Sequence, residues 1–223
     1  IVHSQLQHPN IIPFLGVYPE QTEAPPLIIM PYMESGSLMS WIAERRIGLR
    51  ELKAIAFGIG RGVAYLHSRE PQLIHWNLHP ANVLLDNSGN PLLCDFGFTP
   101  LRREVSQIRM IGQESGKIRF LAPELSSSVQ NRFRRSPESD IFSFAMILFS
   151  MWSGEKPFAM IHREWEVAAS LAKGRRPNRP VASVLPPKIS RALWKLLLSM
   201  WAQDPNERPS ISDVLSSLEH TFQ

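Results

Sequence analysis

The chain has 223 residues and a formal net charge of +4; 43% of its residues are hydrophobic, 20% are charged, and Cys94 is its single cysteine. This composition is typical of a globular domain, and it excludes a disordered chain, a disulfide framework and a zinc site built from cysteines. A lone cysteine favours a reducing environment, so we expect an intracellular, cytoplasmic protein. No apolar run reaches the roughly 18 residues that a membrane span needs, so we expect none.

The first quarter of the sequence predicts a pair of short strands followed by helices. Two apolar runs rich in Ile and Val, at 12–18 and 27–32, flank a polar, Pro-containing loop at 19–26. This pattern predicts a β-hairpin. After Gly36 the apolar spacing becomes helical, first around Leu38 and then on one face of a longer amphipathic helix over 49–66.

The second half of the sequence predicts another hairpin and a mainly helical remainder. The runs 83–86 and 91–94 flank Asn-Ser-Gly-Asn, a sequence suited to a tight turn. From Asp140 onward helical patterns dominate. They cover 141–153, which is apolar on nearly all sides and so predicts a buried helix, then 164–173, 191–201 and 210–220.

The positive charge is concentrated in one segment, from 95 to 135. Four acidic residues lie there against eight basic ones: Arg102, Arg103, Arg109, Lys117, Arg119, Arg132, Arg134 and Arg135. Such a segment is either a solvated loop or a docking face for an acidic partner or a phosphate. In both cases we expect five of its arginines to face solvent: Arg102, Arg103, Arg132, Arg134 and Arg135. No aromatic residues alternate with these charges as a base-stacking groove would require, so we expect no nucleic-acid partner.

Four motifs in a fixed order resemble those of protein kinases. The segment 75–82 reads His-Trp-Asn-Leu-His-Pro-Ala-Asn where kinases carry the catalytic loop H-R-D-L-x-x-x-N. Asp-Phe-Gly follows at 95–97, and Ala-Pro-Glu follows at 122–124. Asp140 then begins the buried helix, and Arg208 lies near the end of the chain. The sequence His8-Pro9-Asn10-Ile11 is most similar to the corresponding segment in the tyrosine-kinase-like group of Ser/Thr kinases.

This resemblance covers the whole chain and implies an α+β, protein-kinase-like fold. Residues 1–33 would be a β-rich remnant of the N-lobe with the hinge, and residues 34–223 would be the mainly helical C-lobe. The chain opens on Ile1 rather than Met, and no G-x-G-x-x-G is present. We therefore expect an N-terminally truncated domain whose Gly-rich loop and ATP-binding strand Lys lie upstream.

Three positions within five residues of the catalytic loop depart from the family. Asn77 replaces the Asp that accepts the substrate's proton, and an amide is no proton acceptor near neutral pH. His79 replaces the Lys that steadies the transferred phosphoryl group, and an unperturbed His is mostly neutral at pH 7. Trp76 replaces an Arg that grips an activation-loop phosphate, so phosphorylation of Ser106 or Ser115 would not switch this domain in the usual way.

Other family positions are intact. The resemblance makes Asp95 and Asn82 the two ligands of Mg²⁺, which prefers hard oxygen donors. It also implies a buried ion pair between Glu124 and Arg208. Asp140 would anchor the backbone of the catalytic loop.

The resemblance further implies an adenine pocket and a stacked row of side chains. Met30 would limit the back of the pocket, and the carbonyl of Pro31 and the N–H of Met33 would bind adenine. His75, Phe96 and Phe14 would belong to the stacked row, a packing role.

Three functions therefore remain open. The best-supported is a protein-kinase-fold signalling domain with impaired phosphotransfer, a pseudokinase. The second is an ATP- and Mg²⁺-dependent Ser/Thr kinase that works slowly with Asn77. The third is an interaction module that presents the basic segment to an acidic partner.

Overall fold

A computed structural model describes residues 2–18, 27–45, 47–96, 116–126, 135–180 and 189–222. Four short strands form two hairpins: β1 (Gly16–Tyr18), β2 (Leu27–Ile29), β3 (Val83–Leu85) and β4 (Pro91–Leu93). The described helices are α1 (Leu38–Glu44), α2 (Leu49–His67), α3 (Pro123–Ser126), α4 (Pro137–Ser153), α5 (Glu164–Ala172), α6 (Arg191–Met200) and α7 (Ile211–Phe222). The predicted α+β class is confirmed.

The first hairpin is antiparallel as predicted, but both of its strands are shorter than the apolar runs. Gly16 lies opposite Ile29 in the β1–β2 register. The first part of the predicted strand lies elsewhere, because the N–H of Ile12 donates to the carbonyl of Leu93 at 3.0 Å and Ile11 forms a bridge with the same residue. This stretch therefore joins the two hairpins.

The second hairpin has the predicted strands and turn. Val83 lies opposite Leu93, and Leu85 lies opposite Pro91. Gly89 adopts a φ of +82°, a left-handed conformation that glycine reaches without steric cost. The Asp86 carboxylate accepts the N–H groups of Ser88 and Asn90, each at 2.8 Å, which closes the turn.

Helix α4 forms the centre of the core, as its apolar sequence predicts. Every residue from 139 to 153 is buried, and the helix packs against α2 and α6. The hydroxyls of Ser143 and Ser150 donate to the carbonyls of Ser139 and Met146, which satisfies these polar groups inside the core. Among the described residues, no helix is both long and apolar enough to cross a bilayer.

Helix α2 packs tightly at Gly62 against the Leu93 side chain of the second hairpin and against the backbone of Asn10. A Cβ atom on Gly62 would lie 2.9 Å from the carbonyl oxygen of Asn10 and 2.8 Å from a methyl carbon of Leu93. A larger residue would therefore push β4 away from α2. Since β4 runs directly into Cys94 and Asp95, this contact sets the position of the candidate metal ligand.

Candidate active site on the catalytic loop

The catalytic loop is attached to the buried start of α4 through Asp140, which is completely buried. Its carboxylate accepts the backbone N–H of His75 at 2.8 Å and that of Trp76 at 2.7 Å. The ring nitrogen Nε2 of His67 lies 2.8 Å from the same carboxylate. Charge-assisted bonds of this kind are stronger than neutral ones. The predicted role of Asp140 as the anchor of this loop is confirmed.

The loop itself is a compact turn that brings Asn77, His79 and Asn82 together. The side-chain Nδ2 of Asn82 donates to the carbonyl of Asn77 at 2.8 Å, and the Asn82 backbone N–H donates to the carbonyl of His79 at 2.9 Å. Asn82 is 5% exposed, so these bonds are largely shielded from water. The amide nitrogen is thereby occupied, and the carboxamide oxygen is the atom left to ligate a cation.

His79 is a neutral, buried imidazole. It is 4% exposed, and burial, helped by the nearby charge of Lys117, lowers its pKa to about 3. An imidazole with that pKa carries no charge at pH 7. Its Nε2 has no hydrogen-bond partner within the described part of the chain. His79 therefore supplies no positive charge to the cleft.

Lys117 lies in the same cleft as Asn77 and His79. The lining comprises Trp76, Asn77, Leu78, His79, Lys117, Phe120, Leu121 and Ser143. Lys117 begins a 3₁₀ turn directly after Gly116, whose φ is +96°. Among these lining residues Lys117 is the one cation, so the positive charge lies on the segment facing the loop instead of on the loop.

The backbone next to Asp95 lies beside Asn82, the other predicted metal ligand. The N–H of Cys94 donates to the carbonyl of Asn82 at 3.0 Å, which places the Asp95 backbone beside the loop. Asp95 is exposed and adopts a φ of +56°. Within the described residues no group of three or more His, Cys, Asp or Glu could hold a metal ion. One carboxylate and one carboxamide oxygen are hard donors that would suit Mg²⁺ if nucleotide phosphates supplied further oxygen ligands.

Beside the metal ligands, the predicted row of stacked rings contains an additional member. The rings of His75 and Phe96 meet edge to face with centroids 5.9 Å apart. Phe14 joins this row through His3, whose ring centroid lies 4.7 Å from that of Phe96 and 5.6 Å from that of Phe14. Sequence reasoning missed His3. Its Nε2 lies 2.8 Å from the carbonyl of Ile12, a link that the sequence does not signal.

The hinge methionines form part of a small apolar cluster. Met30, Met33 and Leu84 pack against buried Ile12, Leu92 and Cys94. Burial raises the pKa of the Cys94 thiol to about 12, so this cysteine is a packing residue and not a reactive thiol. Pro31 is half-buried between the two methionines. An apolar floor of this kind suits a flat aromatic base.

The predicted ion pair between Glu124 and Arg208 is present. The guanidinium donates to both carboxylate oxygens, at 2.7 and 2.8 Å, and also to the carbonyls of Ala202 and Glu138. Arg208 is 6% exposed, so the pair ties α3 to the end of the chain within a largely dry environment.

The prediction for the basic segment needs correction at two positions. Arg119 is 1% exposed and donates to Glu164 and to the carbonyls of the 157–161 loop, so it holds α5 and adds nothing to a surface charge. Arg135, predicted to face solvent, is half-buried with its guanidinium over the ring of Trp76. The remaining predicted positions lie outside the described residues: Ser106, Ser115, Arg102, Arg103, Arg109, Arg132 and Arg134.

Fold and site together define a domain in which a loop anchored to a buried helix lines a cleft. The family model of the protein kinase domain matches residues 1–221. The chain therefore belongs to the protein kinase family, and the predicted kinase fold is confirmed.

Its relatives are named as serine/threonine kinases. The chain is 37% identical to serine/threonine-protein kinase VIK of Arabidopsis thaliana, over 96% of this chain and 48% of the relative. It is 31% identical to serine/threonine-protein kinase TNNI3K of Homo sapiens, over 96% of this chain and 25% of the relative. It is 34% identical to receptor-interacting serine/threonine-protein kinase 2 of Bos taurus, over 94% of this chain and 40% of the relative. The chain thus spans less than half the length of these relatives.

Proposed function

We propose that the protein is a kinase-fold signalling domain with impaired phosphotransfer, a pseudokinase. The observation that carries this proposal is the chemistry at Asn77. The position lies in the cleft, on a loop held in shape by Asp140, but its side chain is an amide. An amide orients a hydroxyl by accepting a hydrogen bond and takes no proton from it at neutral pH. General-base assistance is worth about a hundredfold to ten-thousandfold in rate.

The neutral state of His79 supports the same proposal. A group with a pKa of about 3 contributes no charge to a developing phosphoryl dianion at pH 7. Both loop positions that would act on the reacting atoms therefore lack the required chemistry, while the loop's scaffold is retained.

We further propose that nucleotide binding is retained. Met30, Pro31 and Met33 would hold the adenine, and Asn82 and Asp95 would hold Mg²⁺, because these side chains provide an apolar floor and two hard oxygen donors. When bound, Mg²⁺ would neutralise phosphate charge. The residues of this chain would then orient the nucleotide without a base to activate the acceptor hydroxyl.

One observation favours the second candidate, an ATP-dependent Ser/Thr kinase. Lys117 lines the cleft together with Asn77, and its positive charge acts on His79. A cation there could steady a phosphoryl group in place of the residue at position 79. In that case the unmodified protein would show slow turnover, and Lys117→Ala would reduce it.

The third candidate, a basic docking face, rests on fewer charges than the sequence indicates, because Arg119 and Arg135 are engaged within the fold. An acidic partner would have to bind Arg102, Arg103, Arg132 and Arg134. Its binding would weaken steeply with salt, because exposed charges are screened beyond about 8 Å at physiological ionic strength.

The experiment that tests the proposed function combines phosphotransfer with nucleotide binding. Thermal shifts with ATP are measured with and without Mg²⁺ on the longest natural form of the protein, with Asp95→Asn as the matched variant. We expect a Mg²⁺-dependent shift that Asp95→Asn removes, together with no phosphate transfer above a heat-inactivated control. Robust turnover by the unmodified protein would overturn the proposal.

A further inference from the structure

Trp76 of the catalytic loop and Arg135 form a close contact between an aromatic ring and a cation. The guanidinium carbon of Arg135 lies 3.7 Å from the centroid of the Trp76 ring, the shortest cation–ring distance among the described residues. Tryptophan is the best aromatic partner for such a cation, and the attraction grows as the pair is removed from water. Both residues are half-buried. The contact is therefore a stabilising one.

Trp76 occupies a backbone conformation that needs support. Its φ is +56°, in the left-handed region that residues with a Cβ atom rarely adopt. Such a conformation persists where the surroundings determine it by several contacts. The carboxylate of Asp140 supplies one by accepting the Trp76 N–H at 2.7 Å. The stack with Arg135 supplies a second, through the side chain.

Both contacts attach Trp76 to the start of α4. Arg135 lies two residues before α4, and Asp140 lies in the first turn of α4. The backbone and the side chain of Trp76 are thus both held by the start of the buried helix. Asn77, the next residue, lines the cleft. Fixing Trp76 therefore fixes the direction in which the chain enters the cleft.

We propose that Trp76 and Arg135 are positioning residues that hold the catalytic loop on the start of α4 through unmodified side chains, with no phosphate required. The proposal rests on the proposed function only in treating the cleft as the functional site. Trp76→Arg would bring a second guanidinium group against Arg135. The like-charge repulsion between the two groups therefore weakens the attachment of the loop to the start of α4.

A double-mutant cycle tests the pair. Trp76→Leu, Arg135→Gln and the double variant are compared by urea unfolding of the longest natural form of the protein, after phosphatase treatment. We expect a coupling of about two- to thirtyfold in the unfolding equilibrium constant. Arg135→Lys should retain much of this coupling because it keeps the cation, and Trp76→Arg should be the least stable single variant at position 76. Additive single effects would overturn the proposal.

Hydrogen exchange separates positioning from general stability. In Arg135→Gln we expect the amides of His75 and Trp76 to exchange faster by a larger factor than the amides of α6 and α7. The matched control is Arg45→Gln, because Arg45 lies over the ring of Trp41 at 4.9 Å and neither residue lines the cleft. This control should leave exchange at His75 and Trp76 unchanged. Equal effects of the two variants on these amides, or loss of their protection on phosphatase treatment, would contradict the proposal. Neither readout depends on phosphotransfer, so a failure here is distinct from a failure of the proposed function.

Discussion

The two sides of the catalytic loop carry different kinds of chemistry. The side that faces α4 keeps the charged anchor, since the buried carboxylate of Asp140 accepts two backbone N–H groups of the loop. The side that faces the cleft carries an amide at Asn77 and a neutral imidazole at His79. The difference teaches that the shape of a loop and its reactivity depend on separate residues. Here the shape is retained while the side chains that would act on a proton or a phosphate differ.

The largest effect is expected when the anchored side is broken. Asp140→Ala leaves the N–H groups of His75 and Trp76 without their buried acceptor and removes the partner of His67. We expect a loss of about 3–5 kcal/mol in the free energy of unfolding, measured with urea. Glu219→Ala, at an exposed position on α7, is the control and should change it by less than about 0.5 kcal/mol. A loss below about 1 kcal/mol for Asp140→Ala would refute the anchoring role.

A smaller effect is expected from protonation at His79. Burial lowers its pKa from 6.5 to about 3, so the unfolded chain binds a proton more readily than the folded one at intermediate pH. Stability is therefore lost as pH falls below 6.5. Each pH unit costs about 1.4 kcal/mol for one such group, or about 3 kcal/mol at pH 4.

The variant His79→Gln isolates this contribution. The free energy of unfolding of the variant, relative to the natural chain, should rise as pH falls from 7 to 4, since Gln does not titrate. His220→Gln, at an exposed position on α7, serves as the control. A difference for His79→Gln that does not change with pH would show that the imidazole is not buried in its neutral form.

The smallest effect on stability is expected on the cleft side. Asn77 takes part in the loop through its backbone N–H and carbonyl, and its half-buried side chain makes no hydrogen bond within the described residues. Asn77→Asp should therefore change the free energy of unfolding by less than about 0.5 kcal/mol. A destabilisation similar to that of Asp140→Ala would mean that the two sides of the loop are not separable.

The sequence was most informative where function depends on local patterns. The order of the four motifs predicted the fold, Asp140 as the anchor and the Glu124–Arg208 pair, because each motif carries its own residue types. The buried helix α4 followed from an apolar run with no polar face. The strand over 12–18 was predicted too long, since an apolar run does not reveal that Ile12 pairs with Leu93 in place of β2.

Contacts between distant segments were not predictable. Arg119 counts as a surface charge in the sequence, but it is satisfied by the carbonyls of the 157–161 loop, which only the folded chain brings close. The stack of Trp76 with Arg135 joins two segments that are far apart in the sequence. The place of His3 in the row of rings was not predicted for the same reason, since its contact with Phe96 joins distant parts of the chain. Charge counting and periodicity carry no information about such pairings.

The most direct test of the central claim is phosphate transfer from ATP in the presence of Mg²⁺ to a generic Ser/Thr substrate. The longest natural form of the protein is compared with a heat-inactivated sample and with Asp95→Asn. Because Asn77 accepts no proton and His79 carries no charge, we predict that transfer stays at the level of both controls. Turnover well above that level, abolished by Asp95→Asn, would contradict the claim that the cleft side of the loop has lost its chemistry.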